Sequence, residues 1–238
     1  MVAGCKPKAL ITGGTRGIGK AIAEKLLDRG YLVTITGTSV KKSGPEDADY
    51  ISVNFEHEEA FADVLLQVAD SGFDILVNNA GINRLSGIQE LDISDFNDLH
   101  KINVLGPLKL TQAVIPHMKQ SNWGRITNIG SIWGKISRSG RISYSATKFA
   151  LDGLTASIGA ELASFGILVN TVSPGFIDTE LTRQILSTGQ LESLKNQIPM
   201  GRLGRPEEIA SLVAWLCSEE NGYISGQNII IDGGFSRV

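Results

Sequence analysis

The sequence predicts an α/β fold: a doubly wound, mostly parallel sheet of about seven strands with helices on both faces. Three observations predict it. Short apolar runs of strand length alternate with longer amphipathic stretches along the whole chain of 238 residues. A glycine-rich turn closes the first apolar run and opens the first amphipathic one. No linker-like, repeated or low-complexity stretch interrupts the alternation, so one domain spanning 1–238 is expected.

The first strand is read over 8–12 and the first helix over 16–29, where Ile18, Ile22, Leu26 and Leu27 share a face and Gly30 supplies the stop. The second strand is 31–36. Residues 37–49, which include Lys41, Lys42, Ser43, Gly44 and Pro45, separate it from a third at 50–53. A full crossover helix hardly fits there, so one turn or an open loop is expected. A helix at 58–69 and a strand at 74–77 follow. A helix at 92–103 is expected to end at Asn103, with another starting after Gly106-Pro107. Next come a strand at 124–129, a long helix at 143–164 and a strand at 167–172. A helix at 206–217 carries proline in its first turn, and the last strand is 228–231. Residues 176–205 are the least regular and read as a helical lid or substrate loop.

Apolar residues make up 42% and charged residues 20%, enough to bury a large core. A net charge of −3 with scattered Lys and Arg argues against a general nucleic-acid binder. Cys5 and Cys217 are far apart and no disulfide framework is expected, which fits a reducing compartment. Neither has a partner at metal-ligand spacing, and His57, His100 and His117 are isolated, so no metal site is expected. Residues 1–8 are too short and polar for a signal peptide, and no apolar run approaches the roughly 20 residues of a membrane span. A cytoplasmic protein without membrane or nucleic-acid partners is the expectation.

Thr12-Gly13-Gly14-Thr15-Arg16-Gly17-Ile18-Gly19 is the first strand-to-helix turn. Glycines let backbone approach a pyrophosphate, and the helix start offers free N–H groups and a positive dipole end. The candidate cradle is Gly13, Thr15, Arg16, Gly17, Ile18 and Gly19. The glycine spacing is G-x-x-x-G-x-G. Further motifs are Asn78-Asn79-Ala80-Gly81, Ser131, Tyr144-Ser145-Ala146-Thr147-Lys148, Pro174-Gly175 and Asp232-Gly233-Gly234. With these the chain resembles the short-chain dehydrogenase/reductase family, over nearly its whole length, and implies a Rossmann-type fold. Met200-Gly201-Arg202-Leu203-Gly204-Arg205-Pro206 and Ile224-Ser225-Gly226-Gln227 resemble the 3-oxoacyl-(acyl-carrier-protein) reductase branch.

NAD sites usually place an acid about 20 residues past the glycines, on the ribose 2′-OH. Here Thr36-Gly37-Thr38-Ser39 carries none before Glu46. Arg16 is placed to pair with a 2′-phosphate, Thr38 and Ser39 to donate to it, and Lys41 or Lys42 to add charge. NADP is therefore the expected cofactor. The resemblance further implies that Asn54 and Phe55 flank the adenine and that Asn79, Ala80 and Gly81 lie along the riboses. It places Pro174, Gly175, Ile177 and Thr179 at the nicotinamide end.

Tyr144 and Lys148 are four residues apart on a helix and share a face. An ammonium beside the phenol and a cationic nicotinamide ring both favour phenolate, so with the cofactor a lowered tyrosine pKa is expected. Tyr144 would pass a proton to or from the substrate oxygen as hydride moves. Ser131 can hydrogen-bond that oxygen. The resemblance gives Asn103 a water that links Lys148 to solvent. Leu151, Leu154, Ile158 and Leu162 form one stripe of the same helix; Ala146, Ala150, Gly153, Ser157, Ala160 and Ser164 form a small-residue one. The resemblance implies pairing of this helix and the preceding long one, and a homotetramer.

Two departures bear on the substrate. Asn122-Trp123 and Phe165 stand where that reductase branch carries basic residues, while Lys135, Arg138 and Arg141 lie between Ser131 and Tyr144. Fewer cations weaken docking of an acidic carrier protein. Trp133 either walls a substrate pocket or packs in the core. The readings are a 3-oxoacyl thioester reductase, a dehydrogenase of a sugar, polyol or other secondary alcohol, and a non-catalytic NADP-sensing module.

Overall fold

The computed structural model describes residues 6–185 and 187–237; Cys5 lies outside them. The strands are β1 (Lys8–Ile11), β2 (Leu32–Gly37), β3 (Asp49–Ser52), β4 (Ile75–Asn78), β5 (Gly124–Ile129), β6 (Ile167–Pro174) and β7 (Asn228–Ile231). All pair in parallel, in the order β3-β2-β1-β4-β5-β6-β7. The helices are α1 (Gly17–Asp28), α2 (Glu58–Ser71), α3 (Ile93–His100), α4 (Gly106–Ser121), α5 (Ile142–Leu162), α6 (Glu180–Ile185), α7 (Thr188–Lys195) and α8 (Pro206–Leu216). The winding reverses between β1 and β4, and ligand crevices open beyond the strand ends at such a switch point.

Two apolar layers hold the sheet. Ile22, Leu26, Val213 and Leu216 pack α1 and α8 against one face. Phe61, Val68, Leu110, Val114, Met118 and Leu162 pack α2, α4 and α5 against the other. Each such side chain contributes about 1.5–3 kcal/mol on burial. The central strands β4, β5 and β6 are buried at every position; β4 and β6 open on the apolar run Ile-Leu-Val, whereas β5 buries Arg125, Thr127 and Asn128 as well.

Residues 38–48 form no helix, as expected from their number. The loop folds back on the glycine turn instead. Gly44, at φ +109°, approaches so closely that a Cβ would sit 2.6 Å from Ile35 Cδ1 and 3.2 Å from the Gly14 carbonyl. The irregular 176–205 stretch holds α6 and α7, in keeping with a helical segment.

One boundary expectation fails. Asn103 does not end a helix. Residues Lys101–Leu105 form a π-turn that joins α3 to α4 without a break. The extra residue in that turn changes the ladder's pitch just where Pro107 lacks an N–H.

Candidate active site

The glycine turn is held from below by one threonine. Thr12 Oγ1 accepts from the backbone N–H of Asn79 and Ala80, both at 2.9 Å, so the loops after β1 and β4 are fixed together. Asn79 closes the joint by donating its amide to the carbonyls of Thr12 (2.9 Å) and Gly13 (3.1 Å). Gly13 and Gly17 adopt φ +65° and +56°. A Cβ on Gly19 would collide with the Gly13 carbonyl, so α1 starts flush against the turn. Arg16 is the exposed residue before α1 and makes no ion pair among the described residues.

These loops border a cavity of about 630 Å³. Gly13, Thr15, Arg16, Gly17, Ile18, Gly19, Thr38, Asn54, Phe55, Asn79, Ala80, Gly81 and Thr179 all line it, as a dinucleotide's course past the switch point requires. Ser39 does not. Its Oγ accepts from Lys41 N at 3.2 Å and its carbonyl from the Tyr50 hydroxyl. Lys42 is likewise engaged, donating to the Glu46 carbonyl at 2.7 Å. Pro174, Gly175 and Ile177 are outside the lining. Gly175 N donates to the Ile231 carbonyl at 3.0 Å, and Ile177 is buried and bridged to Gly204. Thr36, Gly37, Val53, Glu56, Ile82, Ile102 and Glu180 also line the cavity and were missed in the sequence. Position beside a named motif, such as Glu56 after Asn54-Phe55, was their single available signal.

Ser131, Tyr144 and Lys148 come together where β5 and α5 meet. Ser131 caps a short 3₁₀ turn, Ile132–Gly134, and its Oγ accepts from Trp133 N at 3.2 Å. The same hydroxyl lies close enough to the Tyr144 phenol to lower its pKa. Lys148 is buried, with its Nζ 5.5 Å from the Tyr144 ring centroid and donating to the Ile129 carbonyl at 2.8 Å. Asn103 is fully engaged across the π-turn. Its Oδ1 accepts from Ile82 N, and its amide donates to the Ile82 carbonyl (2.9 Å) and Thr147 Oγ1 (3.1 Å). It thus links the loop after β4 to the helix bearing Tyr144 and Lys148. Thr147, inside the Tyr-x-x-x-Lys motif, is a partner that the spacing did not reveal.

The protein's own electrostatics are dominated by burial. Burial raises the Tyr144 pKa above the usual phenol value; the Ser131 hydroxyl and the charge of Arg141 pull it back only in part. Burial also lowers the Lys148 pKa, to about 8, so the ammonium is weakened yet still the main form at pH 7. A phenol kept protonated is suited to donating a proton at neutral pH.

Further in, Asn78, Asn128, Thr155 and Thr171 form a buried polar chain from β4 through β5 and α5 to β6, with links of 2.7–2.9 Å. It fixes α5 on the sheet and thereby the reach of Tyr144. Asn122 and Phe165 also acquire a local reason. Asn122 ends α4 in the left-handed region at φ +48°, where asparagine is favoured over arginine. Lys119 Nζ lies 4.4 Å from the Phe165 ring centroid, so one cation remains at that surface. Among the described residues, no group of three His, Cys, Asp or Glu side chains is placed to hold a metal.

A glycine cradle at a switch point, with a Tyr–Lys pair beside the same crevice, is the arrangement of a dinucleotide-dependent oxidoreductase. The family described as Enoyl-(Acyl carrier protein) reductase matches residues 13–236. The 3-oxoacyl-[acyl-carrier-protein] reductase FabG of Aquifex aeolicus (strain VF5) is 42% identical over 238 residues, covering 95% of this chain and 96% of that protein. Among solved structures, ElxO with NADP bound superposes with a TM-score of 0.91 at 33% identity, covering 98% of this chain and 100% of that one. A gluconate 5-dehydrogenase from Burkholderia cenocepacia J2315, in complex with NADP and tartrate, gives a TM-score of 0.89 at 29% identity, covering 98% and 96%. The chain belongs to the short-chain dehydrogenase/reductase family, whose members are NAD(P)-dependent oxidoreductases acting on CH–OH groups.

Proposed function

We propose that this protein is an NADPH-dependent ketoreductase whose substrate is a 3-oxoacyl thioester, on coenzyme A or a carrier protein. The observation that carries the chemistry is Ser131, Tyr144 and Lys148 brought together beside the glycine-lined cavity. Relatives named as 3-oxoacyl reductases support the substrate class. NADP-bound neighbours support the cofactor, as do Arg16 and the acid-free Thr36–Ser39 turn. The residues fit the dinucleotide: the glycine turn, the start of α1, Asn54-Phe55 and Asn79-Ala80-Gly81 all line one cavity of about 630 Å³.

When bound, the reduced nicotinamide supplies a hydride to the carbonyl carbon. The protein's share is placement and proton transfer. Ser131 orients the carbonyl oxygen, and Tyr144 donates its phenolic proton to that oxygen as charge develops there. Lys148 holds the helix face against the Ile129 carbonyl, with its ammonium 5.5 Å from the Tyr144 ring where a phenolate would be left. Asn103 positions α5 from the π-turn through Thr147.

NADPH oxidation with acetoacetyl-CoA, beside a panel of sugars and simple ketones, tests the reading. Turnover is expected with the thioester, and Tyr144→Phe should cut it by about 10²–10⁴ while leaving cofactor affinity within a few-fold. Preference for a polyol would favour an alcohol dehydrogenase, the class of one structural neighbour. No turnover with any carbonyl would favour an NADP sensor.

We also propose a cytoplasmic homotetramer. The Leu151–Leu162 stripe of α5 turns inward, whereas Gly153, Ser157 and Ala160 face outward, and Leu105 and Phe149 are 45% and 46% exposed nearby. No helix among the described residues is long and apolar enough to cross a membrane.

A further inference from the structure

Between Ser131 and Tyr144 the chain carries three cations, and the structure sorts them. Lys135 is neutralised by Asp152, at 2.7 Å. Arg138 and Arg141 make no ion pair and donate no side-chain hydrogen bond among the described residues. Both guanidiniums instead lie over the same ring, 5.2 and 5.0 Å from the Trp133 centroid. That indole is itself fixed: it is buried and meets Phe176 and Phe235 edge-on, at 6.1 and 6.4 Å between centroids.

Their position relative to the chemistry is equally definite. Trp133 follows Ser131 by two residues, and Arg141 is the residue before α5, three before Tyr144. Arg141 is half-buried and is bridged through its backbone to Ser86 in the loop after β4; Arg138 is exposed. Arg141 is thus the inner of the two, within electrostatic reach of Tyr144, and Arg138 the outer. Two like charges held side by side repel, and Arg138 is felt at Arg141 while no carboxylate is. An oxyanion placed between them would relieve that repulsion, and planar guanidiniums match carboxylate and phosphate geometry.

We infer that Arg138 and Arg141, stacked on Trp133, form an oxyanion-recognising wall at the substrate entrance, which selects ketones bearing a phosphate or carboxylate over neutral ones. The inference rests on the ketoreductase reading of the same site. It gives the thioester arm, or a free oxo acid, a specific contact that neither Asn122 nor Phe165 provides.

Two measurements test it. In the first, kcat/KM is compared for acetoacetyl-CoA, acetoacetate and the uncharged acetoacetyl-N-acetylcysteamine thioester, in the wild type and in an Arg138→Gln, Arg141→Gln double variant. The charged-to-neutral ratio should fall at least about tenfold in the variant, through KM. A fall with acetoacetyl-CoA assigns phosphate, and a fall with acetoacetate assigns carboxylate. An unchanged ratio overturns the inference. So does a uniform loss through kcat with a displaced pH profile, which would make Arg141 a group acting on Tyr144. In the second, calorimetric titration compares 4′-phosphopantetheine with pantetheine, and acetoacetate with acetylacetone. Weaker binding of a charged ligand by the variant supports the wall, and equal binding by both proteins overturns it. Because binding needs no turnover, failure of the wild type to reduce any carbonyl would remove the ketoreductase reading without deciding this one.

Discussion

Lys148 shows what a working charge costs inside a fold. Burial moves its pKa from 10.5 to about 8, so at pH 7 the folded protein holds an ammonium that the unfolded chain holds more easily. The penalty is roughly 3 kcal/mol at neutral pH. Between about pH 8 and 10.5 the unfolded chain binds more protons, so stability rises with pH and the penalty fades. Lys148→Met should therefore abolish turnover yet raise unfolding stability by about 1–2 kcal/mol at pH 7, after loss of the bond to the Ile129 carbonyl. Denaturant titrations at pH 7 and pH 10 check it; a variant less stable at pH 7, or an advantage that does not shrink by pH 10, contradicts it. Arg16 is exposed at the cavity and is proposed to meet the 2′-phosphate. Arg16→Ala should weaken NADPH by about tenfold or more and NADH little, read from the two dissociation constants. Equal losses would remove Arg16 from the 2′-phosphate.

At the scale of elements, the glycine turn is the most constrained piece. Gly19 sits where any Cβ meets the Gly13 carbonyl and the Asn79 amide, both fixed by backbone or hydrogen bonds. Gly19→Ala should cost about 1–3 kcal/mol through overpacking and remove detectable dinucleotide binding. Calorimetry that still shows wild-type binding would refute this. The turn was legible because its glycines and its place after the first strand are both local. The π-turn at Lys101–Leu105 was not. Its apolar spacing matches an ordinary helix, and the extra residue shows only when Asn103 must reach both Ile82 and Thr147. Ser39 stands outside the cavity lining, and the contact of its Oγ with Lys41 N depends on the fold of the loop rather than on its place beside Thr38.

Across the whole molecule, α5 serves both the site and the outer surface. Its inner face carries Tyr144, Lys148 and Leu151; its outer face presents Gly153, where a Cβ would meet nothing within 4 Å among the described residues. If the tetramer forms through this face, Gly153→Glu should break it into smaller species with little effect on the monomer's fold, as seen by light scattering and circular dichroism. A tetramer unaffected by that charge would place the interface elsewhere.

The sequence by itself determined the class of fold, the phosphate cradle and the Tyr–Lys pair, because apolar period, glycine placement and an i, i+4 spacing are short-range properties. It also excluded a full crossover helix at 37–49 from length, leaving one turn or an open loop. Tertiary structure decided what depends on burial and on meetings between distant segments. It buried Tyr144 and Lys148 together, so that desolvation raises the phenol's pKa and lowers the ammonium's. It paired Lys135 with Asp152 and left Arg138 and Arg141 on Trp133. Which cations stay available to a substrate depends on which carboxylates the fold brings within reach, and no spacing along the chain records that.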